Sequence, residues 1–233
     1  MQLAAKGCTV LVGGRSLDAV TKACADMTGT AVPFVLDIND SASIQAAVQK
    51  VTTDYGRLDI LINNAGACFD AGGDFTAVTA TTITRDELIN SFDLNLFRQV
   101  EMIQEFLPVL KAAPYANVVN ISSIVGSITA QSNPEMPLGK PLGYAASKSA
   151  LNMMTVMFAA ALKDTNVRIN AAHPGWAKTE SGGGDTGSPY QMEVSDAAKT
   201  PVHLAMLGHD DGKSGIFLGP SDTTASSVTP VDW

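Results

Sequence analysis

The sequence predicts an α/β fold, a single domain built on a doubly wound parallel sheet. Short β-type runs alternate with longer helical ones from about Cys8 to Leu218, the pattern of a parallel sheet covered on both faces. The residues that close each run on its C-terminal side are polar or glycine. Open parallel sheets bind their ligands in a crevice beyond that edge.

Taken in order, Met1 to Lys6 reads as the last turn of a helix stopped by Gly7. Cys8 to Val12 is a buried strand by its β-branched character and ends in Gly13-Gly14-Arg15-Ser16. A helix follows from about Leu17 to Met27, then a strand from Ala31 to Leu36 that ends at Asp37. Ser41 is expected to cap a helix running to about Tyr55. Leu58 to Asn63 is a third strand, closing on Asn64-Ala65-Gly66. Residues 67 to 83 read as a long polar loop, and Thr84 caps a helix whose apolar positions continue through Leu88, Phe92, Leu96 and Val100 toward Leu110, with Asn95 inside it. A fourth strand, Ala116 to Ile121, ends in Ser122-Ser123. A Pro/Gly-rich loop then leads to an apolar helix opened by Tyr144-Ala145-Ala146-Ser147-Lys148 and running to about Lys163. Val167 to Ala172 is a fifth strand ending at His173-Pro174-Gly175; a helix near Asp196 to Leu207 and a strand from Ser214 to Leu218 complete the pattern.

Composition narrows the function classes. The 233 residues are 45% hydrophobic and 16% charged, enough for one substantial core, and no apolar run is long enough to cross a membrane. The formal charge of −8 argues against a nucleic-acid partner, which requires a basic face. The first residues carry neither the apolar stretch of a signal peptide nor an Arg-rich transit pattern, so a cytoplasmic location is the default expectation. Cys8, Cys24 and Cys68 lack metal-type spacing and read as reduced thiols; His173, His203 and His209 are equally scattered and read as core, cap or surface residues. No metal site is expected.

The chemistry concentrates at Tyr144 and Lys148. Four residues apart on a helix, they share one face, so the ammonium can favour the ionised phenol. A free tyrosine, with a pKa of about 10, is a poor proton donor near neutrality, and a neighbouring cation is the simplest correction.

Asn64-Ala65-Gly66, Asn95, Ser123, Tyr144 to Lys148 and Pro174-Gly175, in this order and each in its strand or helix context, resemble the short-chain dehydrogenase/reductase family. The resemblance implies a Rossmann-like sheet and an NADP(H)-dependent oxidoreductase acting on a small carbonyl or alcohol. It assigns Tyr144 as proton donor or acceptor, and Lys148 as the group that lowers its pKa and bonds the nicotinamide ribose. Ser123, with Ser122 as the alternative, matches the serine that hydrogen-bonds the substrate oxygen. Asn95 matches an asparagine that kinks its helix and holds a water in a proton relay; a buried asparagine bonding to backbone is the plain alternative. On the cofactor side, Arg15 matches the position that discriminates between the dinucleotides, and a guanidinium there favours a ribose 2′-phosphate. Asp37 resembles the residue that bonds the adenine amino group, Asn64, Ala65 and Gly66 the turn beside the adenine ribose, and Pro174 and Gly175 the turn beside the nicotinamide. Thr179 resembles a hydroxyl reaching the carboxamide or pyrophosphate.

Two departures from the family pattern carry expectations of their own. The family opens with a central strand and a glycine-rich turn that holds the pyrophosphate, and residues 1–233 contain neither. The sheet is therefore expected to show a gap between the strands at Val10 and Ile60, and the chain to be an N-terminally truncated single domain of a complete enzyme. A catalytically silent binding or regulatory protein is the alternative. The tail, Pro230-Val231-Asp232-Trp233, resembles that of some reductases of the family. The segment between Ser123 and Tyr144, with Gln131 to Pro141 as an insertion, resembles the carbonyl-reductase-like, monomer-leaning branch; a mere surface loop is the other reading. Monomer and homo-oligomer both stay open, as does the substrate. Residues after Pro174 through Gly184 are expected to form a mobile lid carrying Trp176.

Overall fold

The computed structural model describes residues 1–134 and 139–233. Its elements follow the predicted alternation: α1 (Gln2–Ala5), β1 (Val10–Gly14), α2 (Leu17–Ala25), β2 (Ala31–Val35), α3 (Ser41–Tyr55), β3 (Ile60–Asn63), α4 (Arg85–Phe92), α5 (Arg98–Lys111), β4 (Ala116–Ile121), α6 (Ile128–Ser132), α7 (Leu142–Ala161), β5 (Val167–Ala172), β6 (Trp176–Ala177), β7 (Gln191–Met192), α8 (Val194–Ala197), α9 (Lys199–Ala205), β8 (Phe217–Pro220) and β9 (Val228–Pro230).

Local chemistry explains the boundaries. The α3 cap is Asp40 rather than Ser41: its carboxylate accepts from the Ala42 N–H, and Gly56, at φ 73°, ends the helix. Thr84 and Glu87 form a reciprocal capping box at the start of α4. The long helix expected from Thr84 to Leu110 is interrupted at Asp93–Phe97 by a π-helical turn, and the helix expected from Asp196 to Leu207 is broken into α8 and α9. The Pro/Gly-rich stretch after Ser123 contains a 3-10 turn at Ile124–Gly126 and the short α6. Two small pairings have too few residues to leave a periodic trace in the sequence: β6 with β7, and β9 antiparallel to β8.

The sheet comes in two pieces. β1 and β2 pair in parallel, while β3-β4-β5-β8-β9 form a five-stranded sheet, parallel except for β9. Among the described residues no ladder joins β1 to β3, which is the gap expected from the sequence. Burial holds the pieces together instead. One apolar cluster takes Phe34 from β2, Ile44 and Val51 from α3, Leu61 from β3, Ile103 and Leu110 from α5, and Leu151 from α7. On the opposite face Val119, Leu204 and Leu218 pack with Leu3, Ile60 and Ile62.

Buried asparagines tie the helices to the five-stranded sheet. Asn63 donates to Asn120 (2.9 Å), and Asn120 donates to the Thr155 hydroxyl on α7 (2.9 Å). Asn117 donates to the Ala205 and Leu207 carbonyls at the end of α9. These bonds fix α7 over the ends of β3 and β4. No helix among the described residues is long and apolar enough to cross a membrane.

Candidate active site

The C-terminal ends of β3, β4 and β5 open on one cavity of about 1080 Å³. Asn64, Ala65, Gly66, Ser123, Tyr144, Lys148, Pro174, Gly175 and Thr179 all line it, so residues scattered over the whole sequence meet at one sheet edge.

Tyr144 sits in the first turn of α7 and Lys148 one turn later. The Lys148 ammonium lies 5.6 Å from the Tyr144 ring centroid and donates to the Ile121 carbonyl at 2.8 Å. Burial dominates both groups: it pushes the phenol up, opposed by hydrogen bonding with the Ser123 hydroxyl, and brings the ammonium down to about 8. Desolvation, and not the ionic help anticipated from the i, i+4 spacing, sets the direction of both groups. What brings the two groups closer to neutral-pH chemistry is the descent of the lysine.

The pair of serines divides cleanly. Ser122 is buried and donates to Asn152 at 2.6 Å. Ser123 lines the cavity, and its hydroxyl also accepts from the Val125 N–H. Strand alternation sends neighbouring side chains to opposite faces, and only Ser123 faces the reacting space.

Asn95 occupies the π-helical turn, so the kink is present. Its amide is fully engaged: Oδ1 accepts from the Ala67 N–H (2.9 Å), while Nδ2 donates to the Ala67 carbonyl (2.8 Å) and to the Ser147 hydroxyl (3.0 Å). Ser147 in turn donates to the Tyr144 carbonyl. Asn95 therefore straps the turn after β3 to the helix of Tyr144, the backbone-bonding behaviour of the plain alternative. A Cβ on Gly66 would lie 2.9 Å from Asn95 Oδ1 and 3.2 Å from Lys148 Nζ, so this close approach requires glycine.

On the β5 side, Gly175 adopts φ 85° beside Met192, and Thr179 Oγ1 accepts from the Gly182 N–H. His173, which the sequence reading left among core, cap or surface residues, also lines the cavity; burial lowers its pKa to about 4 and keeps the ring neutral. Its adjacency to Pro174-Gly175 was the available signal.

Two predicted cofactor residues stand apart from the cavity lining. Arg15 is exposed just after β1. Asp37 accepts from the Asn39 N–H in the turn that enters α3, while its own N–H donates to Ser43.

The outer walls are apolar and braced. Phe75 meets the Tyr144 ring edge to face, with centroids 5.0 Å apart. Trp176 donates to the Gly182 carbonyl, and Lys178 is held by Asp185 (3.3 Å) and Glu193 (2.9 Å), so the segment read as a lid is pinned at several points. Lys140, from the insertion, bridges to Val78 and turns its ammonium to the Gln131 carbonyl (2.9 Å). The insertion thus walls the cavity; its residues Glu135, Met136, Pro137 and Leu138 lie outside the described residues.

Asp70 has no counterpart in the sequence reading. Fully buried in the loop after β3, it accepts from the Gly143 and Tyr144 N–H groups and from Thr79.

A family model described as short chain dehydrogenase matches residues 1–186. The 3-oxoacyl-[acyl-carrier-protein] reductase FabG of Thermotoga maritima is 34% identical over 229 residues, covering 97% of this chain and 85% of that protein. The NADPH-bound carbonyl reductase from chicken fatty liver superposes with a TM-score of 0.71 at 27% identity, over 91% of this chain and 95% of that one. Carbonyl reductase Sniffer of D. melanogaster shares the fold, with a TM-score of 0.72 at 24% identity over 95% of this chain and 86% of that one.

Proposed function

From the premise that this chain belongs to the short chain dehydrogenase family, we propose that it is an NADP(H)-dependent oxidoreductase that reduces a neutral, lipophilic ketone, aldehyde or quinone to the alcohol, or runs the reverse reaction. The observation that carries this reading is the convergence of Tyr144, Lys148 and Ser123 on one cavity at the C-terminal edge of the sheet. The likeness to a carbonyl reductase that binds NADPH and the exposed guanidinium of Arg15 after β1 support the choice of dinucleotide.

The residues present fit the nicotinamide half of such a cofactor. Asn64, Gly66, Pro174, Gly175 and Thr179 line the same wall, the two glycines at points where a Cβ would collide with Asn95 Oδ1 and with Met192 Sδ. Bound there, the reduced dinucleotide would supply a hydride to the carbonyl carbon. The protein's own part is proton work. Tyr144, kept protonated by its surroundings, gives its proton to the carbonyl oxygen as charge develops there, and Ser123 holds that oxygen by a hydrogen bond. Lys148, with a pKa brought down to about 8, exchanges protons near neutrality and restores the phenol. Hydride and proton together account for the two hydrogens of the alcohol.

Phe75, Val78, Trp176, Tyr190 and Met192 supply the outer lining. Among the described residues, Lys140 turns its ammonium to the Gln131 carbonyl and Lys178 is paired, so neither waits for a phosphate or carboxylate on the substrate. This favours neutral substrates over carrier-bound thioesters.

The test is Tyr144→Phe. NADPH binding should persist while carbonyl-dependent NADPH oxidation falls by about 10²-fold or more, the usual worth of a positioned acid. Unchanged turnover would reject the assignment. A second reading, a catalytically silent binding or regulatory protein, is favoured by the break between β1 and β3. Failure of this chain to bind NADPH in a fluorescence titration would select it.

A further inference from the structure

Helix α7 starts without a cap of its own. Pro141 precedes it and supplies no side-chain acceptor, so the N–H groups of Leu142, Gly143 and Tyr144 would all be orphaned. Each instead finds a partner in the loop after β3. Leu142 N–H donates to Thr79 Oγ1 (2.8 Å), Gly143 N–H to Asp70 Oδ2 (2.8 Å) and Tyr144 N–H to Asp70 Oδ1 (2.9 Å). Thr79 Oγ1 donates its proton to Asp70 Oδ2 (2.7 Å), and the Cys68 thiol donates to Asp70 Oδ1 (3.7 Å). Asp70 and Thr79 are both buried, with Asp70 0% exposed, so water cannot replace these bonds.

We infer that Asp70 is a positioning residue for Tyr144, a carboxylate that caps the catalytic helix from a distant loop and thereby sets the phenol against Ser123. The inference rests on Tyr144 being the proton donor proposed above. Three features make the capping specific to this site rather than a general support. The capped N–H belongs to Tyr144 itself. The negative charge sits at the positive end of the helix dipole, where a carboxylate is favoured. The space around it admits no larger residue: a Cβ on Gly143 would lie 3.0 Å from Asp70 Oδ1, 3.0 Å from Ser91 Oγ and 2.8 Å from Ile83 Cδ1.

The same loop carries Phe75 against the Tyr144 ring, and the Ala71 N–H donates to Glu87 on α4. Asp70 is therefore the joint between a cavity wall and the start of α7. An asparagine in its place would keep one acceptor and turn an N–H₂ toward another N–H, and the first turn of α7 would have to shift. Misplacement of a reacting group by about 1 Å costs on the order of 10²-fold in rate.

The experiment compares Asp70→Asn, Thr79→Val and Tyr144→Phe, singly and with Asp70→Asn combined with Tyr144→Phe. It uses NADPH with acetophenone as a neutral ketone probe. Expected for Asp70→Asn is a fall in kcat of about 10- to 100-fold, with KM and the NADPH Kd nearly unchanged. In the Tyr144→Phe background the same substitution should cost nothing further, because it acts only through the tyrosine. Thr79→Val, which removes one bond of the set, should show the same pattern more weakly, and it decides the matter if Asp70→Asn does not fold. The inference is overturned if folded Asp70→Asn keeps its kcat, or if it loses as much rate without the tyrosine as with it. Should Tyr144→Phe itself turn over normally, the functional reading falls, and that outcome is distinct from an inactive Tyr144→Phe beside a fully active Asp70→Asn.

Discussion

Replacing Lys148 with methionine should make the protein inactive and more stable. Lys148 is 3% exposed, and its ammonium donates a hydrogen bond to the Ile121 carbonyl. Burial takes its pKa from 10.5 to about 8, which at about 1.4 kcal/mol per unit is a penalty of roughly 3 kcal/mol for holding the charge inside. The sign follows from proton counting. Between pH 8 and 10.5 the unfolded chain holds the proton that the folded chain has released, so the wild-type protein gains stability as pH rises through that window. Below pH 8 the penalty is present in full. Methionine, of similar length, removes it and forfeits the bond to Ile121, worth about 1 kcal/mol. The balance is a gain of about 2 kcal/mol at pH 7, or about 4–8 °C in midpoint for a chain of this size. Urea melts of both proteins from pH 6.5 to 10.5 would measure it, and the two stabilities should converge and then cross as pH climbs. A variant less stable at pH 7, or a difference that does not vary with pH, would refute the reasoning.

Thr155→Val removes the hydroxyl that accepts from Asn120 and leaves a buried amide N–H unpaired, for an expected loss of about 1–3 kcal/mol in a denaturant melt with folding otherwise two-state. Arg15→Ala should raise the KM for NADPH about tenfold, the worth of a charge-assisted bond, and leave that for NADH unchanged; equal effects on both would dissociate Arg15 from the 2′-phosphate. Tyr144→Phe should also alter the alkaline limb of stability. Because folding raises the phenol's pKa above 10, its contribution is complete below pH 10 and is lost above it, so the variant's stability should fall less steeply there.

The strand ends and the tyrosine helix were legible in the sequence because their signals are local. β4 and β5 match their predicted limits, Ala116–Ile121 and Val167–Ala172, since short runs rich in Val, Ile and Ala, closed by Ser122 and by His173, leave little choice of limits. Tyr144 and Lys148 stood out by their i, i+4 spacing at a helix start, and Asn64, Ser123 and Pro174 through the family resemblance that their order along the strand ends carries. The gap between β1 and β3 was also foreseeable, because the family that the sequence resembles places a central strand there and residues 1–233 show no such strand in their pattern.

The sequence by itself determined the alternation of elements, the edge at which the site forms and the residues that reach it, because periodicity and strand-end chemistry act over a few neighbours. Only the tertiary structure decided the rest. It chose Ser123 over Ser122 by facing one into the cavity and the other onto Asn152. It committed the Asn95 amide to Ala67 and Ser147. It made desolvation, in place of the anticipated ionic help, set the direction of Tyr144 and Lys148. It also brought Asp70, from a loop whose composition reads only as polar, under the first turn of α7. Each of these outcomes depends on which groups burial places side by side, and burial is fixed by packing between segments far apart in the chain.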